Sequence, residues 1–173
     1  HLALPALYVE AQRIVEVPFA DQAYYPMLLE MFYTPLLGWL PDQAPKFLHL
    51  LFALASASVV GLAAKQVGGR TAGALGFALI LFTPVVALLA CTAYVDLGLL
   101  FYTAVAIGAL LRWYATGSWA WLVLSALNAG FSGTSKYNGL VSIVLLVIGA
   151  ALAPPRTAGG AQLRRQVLRP LLI

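Results

Sequence analysis

The stretch TPVVALLACTAYVDLGLLFYTAVAIGAL, residues 83–110, holds one charged side chain, Asp96, among apolar and small residues. From Thr71 to Leu111 no other charge occurs. A carboxylate in such surroundings costs several kcal/mol unless it is paired, solvated or used. Two apolar runs meeting at one acidic residue are the pattern of two membrane spans joined by a short turn. That reading decides the class of the fold, and the rest of the chain agrees with it. Of its 173 residues 62% are hydrophobic and 9% charged, where a soluble domain has roughly 25% charged. The composition is that of an integral membrane protein.

Spanning a bilayer takes roughly 20 apolar residues, and five segments approach that length. They are 47–64, closed by Lys65; 71–93, with Pro84 as a kink; 97–111, closed by Arg112 and the interfacial pair Trp113-Tyr114; 119–135; and 137–153, stopped by Pro154-Pro155. Residues 1–45 are not a span, because Pro5 and Pro18 break the first half. The segment YYPMLLEMFYTPLLGWL is aromatic and apolar, with Pro26 suited to a first helical turn. Two short helices on the membrane surface fit it. The expected architecture is an all-α, polytopic membrane helical bundle (46–155). Surface helices precede it in a first extracytoplasmic loop (1–45), and a basic cytoplasmic linker leading into a further span follows it (156–173). The chain opens on His1 without a signal-peptide pattern and closes on LRPLLI, which reads as the start of another apolar segment. Both ends suggest a segment of a larger membrane protein.

Charge sets the orientation. Alternating spans put Lys65, Arg70, Arg112, Arg156, Arg164, Arg165 and Arg169 on one face, the cytoplasmic one by the positive-inside rule. Arg13, Lys46, Lys136 and all six acidic residues fall on the other. Contact with anionic headgroups is the natural role of the basic tail. The single cysteine, Cys91, excludes an internal disulfide and cysteine-based metal clusters.

The alternation places Asp96 and Lys136 together at the outer mouth of the bundle. Each has two readings. Asp96 is either a helix-start carboxylate stabilised by the helix dipole or a residue of a polar cavity. Lys136, which ends the glycine-, serine- and threonine-rich stretch NAGFSGTSKYNGL, either snorkels to the headgroups or binds a phosphate, with Tyr137 and Asn138 donating nearby. The set Tyr24, Tyr25, Phe32, Tyr33 and Trp39 fits an interfacial aromatic belt. His49, near the outer end of the first span, is either a satisfied interfacial histidine or a metal ligand beside Asp96. A transporter or flippase and a non-catalytic membrane scaffold are the competing classes. Transporters use midplane charges and repeated halves, and neither is visible here.

Four stretches, in register over nearly the whole chain, resemble one known family. HLALPALYVEAQRIVEVPF resembles the start of its first outer loop, and YYPMLLEMFYTPL its proline- and leucine-rich surface helix. The third is residues 83–110, and the fourth is LNAGFSGTSKYNGLV, a glycine-rich segment ending in a Ser-Lys pair. The family is the GT-C type of membrane glycosyltransferases, in the bacterial branch related to protein O-mannosyltransferases and the lipid A aminoarabinose transferase. The resemblance implies sugar transfer from a polyprenyl-phosphate donor to a lipid, protein or glycan acceptor, on the outer side of a bacterial inner membrane and with no nucleic-acid partner. It implies that Asp96 is the second acidic position of the active-site cavity, near a divalent cation where one is used. It also implies that Lys136 approaches the donor phosphate, with Tyr137, Tyr24, Tyr25 and Glu30 as substrate contacts. The family's main catalytic aspartate would fall upstream of His1. Tyr24-Tyr25 stand where the aminoarabinose transferase has charged residues before its proline, and Glu30, one turn after Pro26, is either their substitute or an ordinary interfacial glutamate.

Overall fold

The computed structural model of the chain describes residues 1–152, and every regular element among them is helical. The expected features beyond that point, the basic linker, the further span and Ala153 at the end of the fifth segment, lie outside the described residues. The elements are α1 (Ala3–Glu10), α2 (Leu28–Trp39), α3 (Ala44–Phe82), α4 (Pro84–Ala90), α5 (Asp96–Thr116), α6 (Trp119–Ser135) and α7 (Gly139–Leu152), with a 3₁₀ turn at Asp21–Tyr24.

Two helices, α3 and α5, are long and apolar enough to cross a membrane, where five spans are expected from the sequence. α6 has 17 residues and α7 has 14, so each is shorter than a full span. α3 takes in both the first expected span and most of the second, because the linker between them is itself helical. It is nevertheless not a straight rod. Gly69 has φ 77° and ψ −168°, a conformation open essentially to glycine alone. Beyond it the chain folds back. A Cβ on Gly61 would lie 3.0 Å from the Gly73 carbonyl oxygen, and one on Gly76 would lie 3.0 Å from Ala64 Cβ. Residues twelve apart in a continuous helix stand about 18 Å apart, so α3 is a hairpin of two arms, residues 44–68 and 70–82, closed through glycine faces. A Cβ at Gly69 meets nothing within 4 Å, so Gly69→Ala isolates the backbone term. It is expected to lower unfolding stability by about 1–3 kcal/mol, read from denaturant unfolding in detergent.

Pro84 does not kink a continuous helix, as the sequence suggests. The helix stops at Thr83, which is extended (ψ 118°), and restarts with Pro84 at its first position, where the missing N–H costs nothing. Residues 91–95 then form the irregular turn before Asp96, with Cys91 exposed in it. α5 runs one turn past Arg112 and ends at Gly117, whose φ of 69° lets its N–H reach the Trp113 carbonyl at 2.7 Å. Pro26 lies outside α2, just before its N-cap Met27.

The helix pairs have a readable register. Phe52 stacks on Phe101 and Val59 lies against Gly108, so the first arm of α3 runs parallel to α5. Ser125 Oγ donates to the Ala106 carbonyl at 2.7 Å, and Thr103 Oγ1 lies 3.1 Å from Ser132 Oγ, so α6 runs antiparallel to α5. Thr103 also reaches Ser142 Oγ at 3.3 Å, and Tyr114 lies against Gly149, so α7 is parallel to α5. Hydroxyls and small residues at these seams let backbones approach closely. Lys65, Arg70 and Arg112 therefore share one end of the bundle, and Asp96 and Lys136 the other.

α2 docks on that second end. Leu29 and Tyr33 are fully buried, Leu29 against Gly98, and the Tyr33 hydroxyl donates to the Tyr94 carbonyl. α1 packs on α2 through Val9 and Gly38.

Candidate functional site

Where α1, α2 and the segment between them meet Val95, just before α5, and the corner between α6 and α7 there is a cavity of about 620 Å³. Its walls are largely apolar, among them Leu4, Leu7, Val17 and Val95, and its polar groups are few: His1, Gln22, Tyr25, Glu30, Ser135, Lys136 and Tyr137. Few polar groups in an apolar wall are the usual make-up of a small-molecule site.

Glu30 comes from the first turn of α2, whose buried face also carries Leu29 and Tyr33. Its side chain is 8% exposed. One carboxylate oxygen lies 2.5 Å from His1 Nδ1. The other, Oε2, is buried without a hydrogen-bond partner among the described residues. An unsatisfied buried carboxylate oxygen is costly. Burial holds the Glu30 carboxyl above the usual carboxylate range, and burial together with the Glu30 charge pushes the Tyr33 phenol up.

Lys136 follows α6 in extended conformation (φ −163°, ψ 149°), which turns the chain into α7. Its ammonium donates to Asp96 Oδ1 at 2.7 Å, across 40 residues of sequence, with both side chains partly exposed. Asp96 is the first residue of α5 and stands behind Lys136. It is absent from the cavity lining, which Lys136 joins. The tyrosines divide. Tyr25 and Tyr137 meet edge to face at 5.4 Å and both line the cavity. Tyr24 turns outward and donates to Glu16 at 3.1 Å, which raises its own phenol. It is therefore outside the site where the sequence reading puts it.

Of the two readings of His49, the structure shows the satisfied histidine and not the metal ligand. Nδ1 donates to the Leu89 carbonyl at 2.8 Å, and Nε2 accepts the Leu97 N–H at 3.1 Å. Both ring nitrogens are taken, and the residue is fully buried. It pins the irregular turn 91–95 to the first arm of α3. Among the described residues no three His, Cys, Asp or Glu side chains are grouped to hold a metal ion, so the divalent cation suggested for Asp96 has no assembled ligand set there.

Two cavity groups escaped the sequence reading. His1 reaches Glu30 across 29 positions and lies edge to face on Tyr94 at 5.2 Å. Gln22 belongs to the 3₁₀ turn. Neither carries a motif that would have marked it. A second groove, of about 950 Å³, lies between α2 and α6 and shares Pro26 with the cavity. Thr134 is its one polar-chain wall residue, and its hydroxyl is turned back to the Gly130 and Phe131 carbonyls. The arrangement as a whole offers one cation, one buried carboxylate with a free oxygen, and an adjoining apolar groove. No family model matches the chain, and neither a curated protein nor a solved structure matches it, so the reading of the site rests on its own chemistry.

Proposed function

We propose that this chain is the cavity-bearing part of a multi-pass membrane glycosyltransferase of the GT-C type, moving a sugar from a polyprenyl-phosphate donor to an acceptor hydroxyl on the extracytoplasmic side. The observation that carries the reading is one cavity holding both Lys136, fixed by Asp96 at 2.7 Å, and Glu30 with an unpartnered buried oxygen. Three features support the membrane setting. Apolar side chains such as Leu79 (69%), Phe82 (83%) and Leu145 (63%) face outward. All six acidic residues lie in the outer loop or at the cavity end, while Lys65, Arg70 and Arg112 share the opposite end. The groove between α2 and α6 suits an isoprenoid tail beside a head group at Lys136.

In this reading the acceptor hydroxyl gives its proton to Glu30 Oε2, and its oxygen forms the new bond to the anomeric carbon. The bond from that carbon to the phosphate oxygen breaks. The leaving polyprenyl phosphate carries away the electron pair, its charge met by Lys136. Asp96 acts through Lys136 as a positioning residue. Tyr25 and Tyr137 present an aromatic wall to the sugar.

The test is transfer of a radiolabelled hexose from a polyprenyl-phosphate donor, by the full-length protein in proteoliposomes. Asp96→Asn is expected to reduce transfer at least about tenfold, a barrier increase of roughly 1.4 kcal/mol, with thermal stability unchanged. Lys136→Met is expected to raise the donor KM more than it lowers kcat, because it removes the phosphate's cation. Parental transfer by both variants would sink the site assignment. An absence of transfer from any polyprenyl-phosphate sugar would sink the reaction class.

A further inference from the structure

At the end of the bundle away from the cavity, the two arms of the α3 hairpin form an open, shallow crease of about 500 Å³. Lys65 enters it from the first arm and Arg70 from the start of the second. Leu62 and Phe77 form its apolar sides, and Gly61 and Gly73 its floor. The glycines shape it. Their backbones approach so closely that a Cβ on either would sit 3.0 Å from the other's carbonyl oxygen.

The charge here is unbalanced. Neither Lys65 nor Arg70 forms a salt bridge with a described residue. None of the six acidic residues of the whole chain belongs to this end: five lie in residues 1–42 and the sixth is Asp96. Two cations converge on one crease, its sides are hydrocarbon, and Leu62 and Phe77 continue from it along the two arms as exposed apolar surface. That is the chemistry of a phosphate ester carrying acyl chains: an anionic head between two cations and a tail on the apolar flank.

We infer that the Gly69 hairpin crease is a binding site for an anionic phospholipid, whose headgroup phosphate is held by Lys65 and Arg70 and whose acyl chain lies along Leu62 and Phe77. The inference rests on the membrane placement proposed above but not on the sugar-transfer reaction. The site lies at the other end of the molecule from the catalytic cavity and shares no residue with it. A lipid seated there bridges the two arms across the one position, Gly69, where helical geometry is interrupted.

The test is native mass spectrometry of the purified full chain in detergent, titrated with phosphatidylglycerol, phosphatidylcholine of the same acyl chains, or inorganic phosphate. One phosphatidylglycerol adduct is expected to survive detergent removal. It should weaken at least about tenfold in Lys65→Gln/Arg70→Gln, the size expected of two basic contacts with an anionic headgroup. Arg112→Gln is the control. Arg112 lies at the same end but outside the crease, over the Trp121 ring at 5.8 Å, and its loss should leave the adduct intact. Equal retention of phosphatidylcholine, or equal loss in Arg112→Gln, overturns the site in favour of general surface adsorption. Competition by inorganic phosphate as strong as by phosphatidylglycerol overturns the lipid as occupant and leaves a simple anion. Incorporation into liposomes, scored by flotation, separates the two levels. A chain that does not float fails the membrane reading, and one that floats but shows no lipid preference fails only this inference.

Discussion

Glu30→Gln is expected to lower kcat for sugar transfer by about two orders of magnitude or more, the usual worth of a general base, and to leave donor KM nearly unchanged. The substitution keeps the shape of the side chain and its contact with His1, but removes the basic lone pair that, in the proposed reaction, receives the acceptor proton. The same variant has a second signature in stability. Burial raises the Glu30 carboxyl above its ordinary 4.5, so the folded chain binds that proton more tightly than the unfolded chain does. The stability this supplies is whole below about pH 4.5 and is lost as pH rises through the higher folded value. The charged or titratable groups around Glu30 are His1, Tyr33 and, across the cavity, Lys136. Melting temperature followed from pH 4 upward should therefore decline in the parent and be flatter in Glu30→Gln. A parental slope and a parental kcat in the variant would reduce Glu30 to a packing residue.

Gly139→Ala is expected to be the most damaging single methyl in the described chain. Gly139 opens α7 directly after the Lys136 turn, and its N–H is bonded to the Lys136 carbonyl at 2.8 Å. An added Cβ would collide with the Ser132 carbonyl group and lie 2.6 Å from the Gly133 nitrogen. These are backbone atoms and cannot rotate aside. Relief requires the α6–α7 corner to open, at a cost of about 3 kcal/mol or more. Lys136 sits on that corner, so donor binding should weaken together with stability. The variant thus differs from Asp96→Asn, which is expected to lose transfer at an unchanged melting temperature. Gly98→Ala is a milder comparison, because its Cβ would meet the Leu29 side chain and not backbone, although Leu29 is fully buried and must shift to admit it.

How much of this was readable beforehand depended on where the information lay. Apolar run length placed α5 and α6 closely. Proline spacing was a poorer guide to the two short helices before them, because Pro5, read as a break, lies inside α1, and Pro35 lies inside α2. Charge alternation put Asp96 and Lys136 at one end, because a helical bundle with short turns leaves few other arrangements. The fold-back follows from the same reading, which closes one apolar segment at Lys65 and opens the next at Thr71. What the sequence does not mark is how the chain turns there, because a single backbone torsion at Gly69 breaks an otherwise helical linker. The sequence leaves His49 open between a satisfied histidine and a ligand, because both its partners, the Leu89 carbonyl and the Leu97 N–H, are backbone groups, which leave no mark in a sequence. Glu30 was visible as a charge on an aromatic helix. Its unpartnered oxygen appears only when α1 and α2 close over it.

The turn that His49 secures has a practical consequence. It displays the chain's one thiol, Cys91, exposed and five residues ahead of Asp96. The protein thus carries a built-in reporter of sidedness. A membrane-impermeant maleimide applied to sealed vesicles, from without or from within, marks which compartment the cavity opens to, with no residue engineered and no background thiol in the chain.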